Sequence, residues 1–301
     1  MDYSRTSLKA ALLLLAITGC NRMTVQTEER TAVNRVLQPI GDLLAEARVR
    51  AVGKEPSHHR LWRPDLAVLP YAEIDSHRVY LHNIRDCEYR SEEDYDVRHF
   101  DRQVALEDVR SVDFIVVPFK ETPALAHTML SFGLADGQYL VFSVEARLEQ
   151  GESYALISGT TNEFELMWIV GTERDLIRLR TEVRNVDVYL YRTSVTPEQA
   201  QQTFLAAVAR VNEIFRTPEF YDALNNNCTT NIVDMVNRLR PGSVPQDIRV
   251  MLPGHSDKLA YELGLLAAPG PFEQIKRASR INTLARIHAD SSNFSQAIRG
   301  L

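Results

Sequence analysis

The chain has 301 residues, of which 45% are hydrophobic and 25% are charged, and these fractions are typical of a globular protein. Its net charge of -6 argues against a nucleic-acid partner. Its three cysteines are too few for a disulfide scaffold, and no pattern of residues indicates a cofactor.

The first segment has the pattern of a bacterial lipoprotein signal. A basic start is followed by an apolar core at residues 10–17 and by small residues before Cys20. We expect residues 1–19 to be the signal peptide and Cys20 to be lipidated, which would anchor the chain to a membrane. Asn21 after this cysteine favours the outer membrane, facing the periplasm. The alternative is an ordinary secretory signal, because the apolar run is too short for a permanent transmembrane helix.

The rest of the chain divides into three predicted parts. Residues 20–60 are expected to form a lipidated N-terminus and a linker helix, with helical spacing of apolar residues over residues 27–52. Residues 61–268 are expected to form the main domain. Residues 269–301 are expected to form a C-terminal helix followed by a loose tail.

A charged stretch at residues 90–101 contains a group of potential metal ligands. The group consists of Asp94, Asp96, His99 and Asp101. A solvated, salt-bridged loop is the commoner reason for such a stretch, so no metal site is predicted.

Two predicted strands, residues 125–132 and 139–147, form a hairpin around Asp136-Gly137. A three-residue loop with Gly137 in the left-handed region places His127 opposite Glu145, whereas a two-residue loop places it opposite the next residue. We predict the three-residue loop, in which the carboxylate orients the imidazole. The alternatives are a strand histidine bonded to a backbone carbonyl and an exposed strand carboxylate paired with Arg147.

A short helix is predicted at residues 173–181, and several arginines gather around it. They are Arg174, Arg178, Arg180 and Arg184. They could meet an anionic head group, but the sequence favours a solvated basic face.

Cys228 follows three asparagines and precedes a predicted amphipathic helix. Asn227 suits the helix cap, so Cys228 lies at a helix N-terminus, where the positive end of the helix dipole favours a thiolate. The backbone at Asn227 and Cys228 could also stabilise an oxyanion. The alternatives are a small buried cysteine that fills a gap and a disulfide with Cys87. His255, in a long loop, is a second candidate for a base.

Five stretches over residues 62–266 resemble a bacterial family in sequence and in order. They are IRDCEYRSEEDYD, AHTMLSFGLADGQYLVFSVEARLEQGESY, GTERDLIRLRT, NNNCTTNIV and LPGHSDKLAYELGLL. The chain resembles the periplasmic domain of Lnb-type lipoprotein N-acyltransferases, within the circularly permuted papain-like enzymes of the NlpC and lecithin:retinol acyltransferase type. Two departures are His255, where an aromatic residue is expected, and the lack of a membrane-spanning part.

The resemblance implies an α+β fold, with an antiparallel sheet and packed helices in a permuted papain-like domain. It also implies acyl transfer to or from lipoproteins or lipids by Cys228 as nucleophile and His127 as base. The role of Glu145 as third member is inferred from its position on the neighbouring strand. Two other functions stay open: a cysteine peptidase or amidase acting on cell-wall peptides, and a non-enzymatic envelope lipoprotein, in which Cys228 and His127 should lie apart.

Overall fold

A mostly antiparallel sheet dominates the computed structural model, which describes residues 55–153 and 164–301. The predicted signal peptide, the lipidation site Cys20 and the linker helix of residues 27–52 lie outside the described residues. The residues that are described lie within one compact unit. None of their helices is both long and apolar enough to cross a bilayer.

Eight of the described strands form the main sheet, in the order β1-β2-β9-β8-β7-β6-β10, with β5 paired to β2. Among the strands that the structure describes, β2 and β9 are the only parallel pair, joined at Arg85 and Gly171. β3 and β4 form a small separate hairpin. The strands are β1 (Tyr71–Ile74), β2 (Arg78–Arg85), β3 (Glu88–Tyr89), β4 (Tyr95–Asp96), β5 (His99–Ala105), β6 (Val109–Pro118), β7 (Ala126–Leu134), β8 (Tyr139–Arg147), β9 (Glu165–Thr172) and β10 (Tyr189–Arg192).

Helices pack around the sheet, so the predicted α+β class with a mostly antiparallel sheet is confirmed. The longest described helix, Pro197–Arg216, begins with a capping box between Thr196 and Gln199. The helices are α1 (Glu173–Arg178), α2 (Pro197–Arg216), α3 (Cys228–Leu239), α4 (Ile248–Met251), α5 (Ser256–Glu262), α6 (Phe272–Ser279), α7 (Asn282–Ile287) and α8 (Phe294–Ala297). A π-helical turn, Leu179–Val183, continues α1.

The centre of the core lies between the β7–β8 hairpin and α2. Phe132, Phe142 and Phe204 meet edge to face, with ring centroids 5.1 to 5.5 Å apart. Every residue of β7 is buried, so both faces of this strand are covered. The hairpin is therefore a rigid platform for side chains at its open end.

The C-terminal residues are folded into this core, which corrects the predicted loose tail. Ile275, Phe294 and Ile298 belong to the buried apolar cluster. Arg299 donates hydrogen bonds to Asp113 on β6 and to Glu173 at the start of α1, and the nearest contact to each carboxylate is 2.6 Å. Both carboxylate side chains are fully buried, so this guanidinium is their main compensating charge.

We expect Arg299→Met to lower the free energy of unfolding by about 3–5 kcal/mol, because it leaves buried carboxylates uncompensated. Arg280→Met is the matched control, since Arg280 pairs with Asp187 in an exposed ion pair of the same C-terminal region. Its cost should stay below about 1 kcal/mol. Urea unfolding of the three proteins measures the difference. Equal small losses would mean that the C-terminal segment does not stabilise the sheet.

Candidate active site

Cys228 is the first residue of helix α3. Asn227 caps this helix: its side-chain oxygen accepts hydrogen bonds from the N–H groups of Thr229 and Thr230 at 2.9 and 3.0 Å. The Thr230 hydroxyl accepts in return from the Asn227 N–H. This capping box fixes the first turn and therefore the direction of the Cys228 side chain.

The hairpin places His127 on the strand beside Glu145. The Leu134 N–H donates to the Gln138 carbonyl across a loop of three residues, and Gly137 has φ of 79°. The predicted three-residue loop is thus confirmed. The pairing of Met129 with Ser143 sets a register in which His127 faces Glu145 two residues further on.

The Cys228 sulfur lies where β7 and β8 diverge. Their ladder ends at Met129, although both strands continue beyond this pair. The Leu134 N–H points across the hairpin, and N–H groups alternate in direction along a strand, so the Thr128 N–H also points towards the side of β8. The Thr128 N–H and hydroxyl both lower the pKa of the Cys228 thiol, and the Thr128 hydroxyl forms a hydrogen bond with the Thr229 hydroxyl at 3.0 Å. The Ala126 carbonyl lies 4.0 Å from the same atom.

A chain of hydrogen bonds connects the imidazole to a buried guanidinium. His127 Nε2 lies 2.7 Å from Ser143 Oγ and 3.2 Å from Glu145 Oε1. The Ser143 hydroxyl donates to Glu145 Oε1 at 2.7 Å, and Arg180 Nη2 donates to the same oxygen at 2.9 Å. The serine oxygen can then only accept from His127, so Nε2 carries a proton, and Nδ1 is the ring nitrogen left for the Cys228 thiol, whose pKa His127 lowers.

The charges at this site stabilise one another. Burial raises the pKa of the Cys228 thiol, but the His127 imidazolium outweighs burial and lowers this pKa to about 7. Burial lowers the pKa of His127, but the Glu145 carboxylate and the Cys228 thiolate outweigh it and raise this pKa to about 9. Burial raises the pKa of Glu145, whereas His127 and Arg180 together hold it well below its usual range. A thiolate–imidazolium pair is therefore favoured between these two pH values.

Cys228 offers a backbone donor beside its own sulfur, whereas the donors of Asn227 are engaged. The Asn227 N–H donates to Thr230, and its side-chain amide donates to the Ala223 carbonyl. Within the described residues no group accepts a hydrogen bond from the Cys228 N–H. Of the two residues predicted for an oxyanion, Cys228 has the available N–H, and Asn227 holds the helix start.

The other predicted residues lie away from this arrangement. His255 is exposed, and no hydrogen bond or ion pair within the described ranges joins it to Cys228. Cys87 and Cys228 are both free thiols. Asp94 and Asp96 form salt bridges with Arg90, and the described part of the chain has no cluster of side chains suited to a metal ion.

Three contributors to the site are missed from the sequence. Ser143 shares a predicted strand face with Glu145, so alternation could have identified it. Thr128 acts through its backbone N–H, which can face Cys228 because the β7–β8 ladder ends at Met129. The sequence does not show where a ladder ends. Arg180 was predicted to lie on a solvated basic face; that prediction is wrong for this residue, whose side chain is 3% exposed and meets Glu145.

Over residues 95–254 the chain matches the model of a protein family described as the Lnb N-terminal periplasmic domain. The match covers more than half of the chain and includes Cys228, His127 and Glu145. No curated protein and no solved structure matches the chain.

We expect alkylation of Cys228 by iodoacetamide to show a midpoint near pH 7. His127→Ala should raise this midpoint to pH 9 or above, because the imidazolium that favours the thiolate is lost while burial remains. Mass spectrometry of the peptide that contains Cys228, over a series of pH values, gives the midpoint. The same midpoint in both proteins would refute the ion pair.

We expect Asn227→Ala to lower the free energy of unfolding by about 1 kcal/mol through loss of the helix cap. Thr196→Ala removes the equivalent cap of α2 and should cost a similar amount. Only Asn227→Ala should slow alkylation of Cys228 at pH 7, because only this cap positions the thiol. Denaturant unfolding and the alkylation rate test the pair. Equal alkylation in the two variants would contradict a positioning role for Asn227.

Proposed function

This chain belongs to the Lnb N-terminal periplasmic domain family, and on that premise we propose that it is a thiol-dependent acyltransferase of the cell envelope. The observation that carries the proposal is that Cys228, at a helix start, and His127 lie close enough to shift each other's pKa, while the Glu145 carboxylate lies 3.2 Å from the imidazole. A non-enzymatic lipoprotein gives no reason for these two side chains to meet. The membership itself establishes an Lnb-type envelope protein with a periplasmic location.

The first step forms a thioester. The Cys228 thiolate attacks the carbonyl carbon of an acyl ester, and a bond from sulfur to carbon forms while the carbonyl oxygen becomes an oxyanion. The Cys228 N–H donates to that oxyanion. When the tetrahedral intermediate collapses, the bond from carbon to the leaving oxygen breaks, and the His127 imidazolium gives its Nδ1 proton to this oxygen.

The second step transfers the acyl group and restores the enzyme. Neutral His127 takes a proton from an attacking amine or water, and the new bond to the acyl carbon forms. The bond from carbon to sulfur then breaks, which returns Cys228 as thiolate beside the imidazolium. An amine of a lipoprotein gives an amide as product, whereas water gives a fatty acid. Throughout, Glu145 stabilises the imidazolium form.

The same proposal includes the fold type and the anchor. The helix that begins at Cys228, packed on the strand of His127, supports assignment to the circularly permuted papain-like, NlpC-like domains, with residues 61–268 as the catalytic part. The sequence around Cys20 supports lipid anchoring at the outer membrane. Anchoring confines the enzyme to a surface and raises its effective concentration near lipid-linked substrates.

We expect a mass increase of one acyl group on the peptide that contains Cys228 after incubation with vesicles of diacyl phospholipid or with a diacylated lipopeptide. Neutral hydroxylamine should remove the group, as it does other thioesters. Cys228→Ala and His127→Ala should lose the adduct, because one lacks the nucleophile and the other its base. Cys87→Ser is the control and should keep it, since the Cys87 thiol is buried away from the site. Acid quenching and peptide mass spectrometry measure the adduct.

Other outcomes of this experiment separate the remaining functions. Trapping of a cell-wall peptide on Cys228, in place of an acyl group, would favour a cysteine peptidase or amidase. The absence of any adduct, together with alkylation typical of an ordinary thiol, would argue against enzymatic activity altogether.

A further inference from the structure

We propose that Arg180 is a positioning residue for the Cys228–His127 pair, and that it acts through Glu145 by fixing the carboxylate and balancing its charge. This inference rests on the proposed function for its consequence in catalysis. Its physical basis, however, is the geometry of three buried groups and the partly buried Glu145, which can be tested without any substrate.

Arg180 holds the carboxylate oxygen that the imidazole meets. Its Nη2 donates to Glu145 Oε1 at 2.9 Å, and the same oxygen lies 3.2 Å from His127 Nε2. Its Nη1 donates to the Leu176 carbonyl at 2.9 Å, which fixes the guanidinium on its own helical segment. A second donor to Oε1, the Ser143 hydroxyl, completes the set. Among the described residues, Arg180 is the donor to Oε1 that lies outside the hairpin, and its loss would remove that support.

The four ionisable groups of the site are balanced only when Arg180 is present. Arg180 and the His127 imidazolium are cations, and Glu145 and the Cys228 thiolate are anions, so their formal charges sum to zero. Without Arg180 the site carries a net negative charge away from water, and burial disfavours such a charge strongly. The site would then take up a proton, and the loss of Arg180 therefore disfavours the thiolate.

The remaining charges near Arg180 are repulsive. Arg85 and Arg184 both lower its pKa, after burial, and Glu145 is the charge that opposes them. Placement of a third cation here therefore depends on the carboxylate. Beside Cys228 itself, His127 and Thr128 are the groups that lower the pKa of the thiol.

Arg180 lies just after helix α1, and ion pairs fix the first turn of this helix to the rest of the fold. Glu173 and Asp175, in the first turn of α1, pair with Arg299 and Arg85, respectively. The segment then changes to a π-helical turn, Leu179–Val183, which contains Arg180. Such turns alter the direction of side chains and are frequent at functional sites. Rigid fixation of α1 thus makes Arg180 a support that does not move with the hairpin.

The test is the pH dependence of Cys228 alkylation in wild type, Arg180→Met, Arg180→Lys and the double variant Arg180→Met/Glu145→Gln. Arg180→Met should raise the midpoint by about one pH unit or more, which lowers the thiolate fraction, and therefore the alkylation rate, at pH 7 about fivefold or more. Arg180→Lys keeps the charge and should stay within about threefold of wild type. The double variant removes both charges of the pair, so it should recover most of the rate that Arg180→Met loses.

Arg178→Met is the matched control, because Arg178 lies on the same helix, pairs with Glu182 and does not touch Glu145. It should lower the free energy of unfolding and leave the alkylation midpoint unchanged. If Arg180→Met does not fold, Arg180→Gln takes its place, with circular dichroism and thermal unfolding as checks on each protein.

An unchanged midpoint in the folded Arg180 variant would overturn the proposal. A failure of the double variant to recover, or an equal shift in Arg178→Met, would do the same, since each would indicate a merely structural role. Alkylation needs no acyl donor. If the alkylation midpoints shift as expected but no acyl adduct forms, acyl transfer is rejected and the role of Arg180 stands. If an acyl adduct forms but the midpoints do not shift, acyl transfer stands and the role of Arg180 is rejected.

Discussion

The contact between the Cys228 sulfur and the His127 imidazole depends on the register of one hairpin. Side chains alternate along a strand, so a shift of one residue between β7 and β8 would place Ala146 opposite His127 and turn Glu145 away. The three-residue loop with Gly137 in the left-handed region selects the productive register. A short turn, far from the thiol along the strands, thereby determines whether the imidazole has a carboxylate partner.

The end of the β7–β8 ladder has a second consequence. Where two strands separate, their backbone donors and acceptors need new partners, because unpaired buried groups are costly. Here the Thr128 backbone N–H faces the Cys228 sulfur and lowers the pKa of the thiol. The gap in the sheet is thus filled by the start of helix α3, and the same backbone group that would otherwise join two strands stabilises a negative sulfur. The point at which the β7–β8 ladder ends is therefore also the point at which the backbone stabilises the thiolate.

Buried arginines on β2 and at the C-terminus compensate the charges of buried carboxylates on β6 and α1. Asp113, Glu173 and Asp175 are almost fully buried, and each meets a guanidinium: Arg299 for the first two and Arg85 for the third. Glu145 with Arg180 follows the same rule beside the candidate site. Breaking a buried pair costs far more than its formation contributes, so these pairs define a unique arrangement of α1 against the sheet.

The sequence predicts the local features of the site well and its long-range features poorly. Helical spacing and the asparagines locate Cys228 at a helix start, and Asp136-Gly137 identifies the hairpin, because these signals act between residues close in the chain. The pairing of Arg180 with Glu145 joins residues 35 apart, and an arginine on a short helix has no local feature that distinguishes burial from exposure.

The C-terminal residues illustrate the same limit. The sequence there is polar and predicts a loose tail, but Arg299 reaches a carboxylate 186 residues away on β6. Only tertiary structure reveals that two buried acids need this cation. Polar composition predicts exposure when no partner is known, and it fails where partners lie on distant elements.

Comparison of the two free cysteines shows what distinguishes Cys228. Both are buried to the same extent, with 4% exposure, and burial raises the pKa of each thiol. Cys87 has Arg85 nearby, but Asp175 opposes that cation, and the pKa of Cys87 rises to about 11. Cys228 instead meets an imidazole that can accept its proton and remain charged beside Glu145. Since the two thiols are equally exposed, the difference between their pKa values arises from the paired charges beside Cys228.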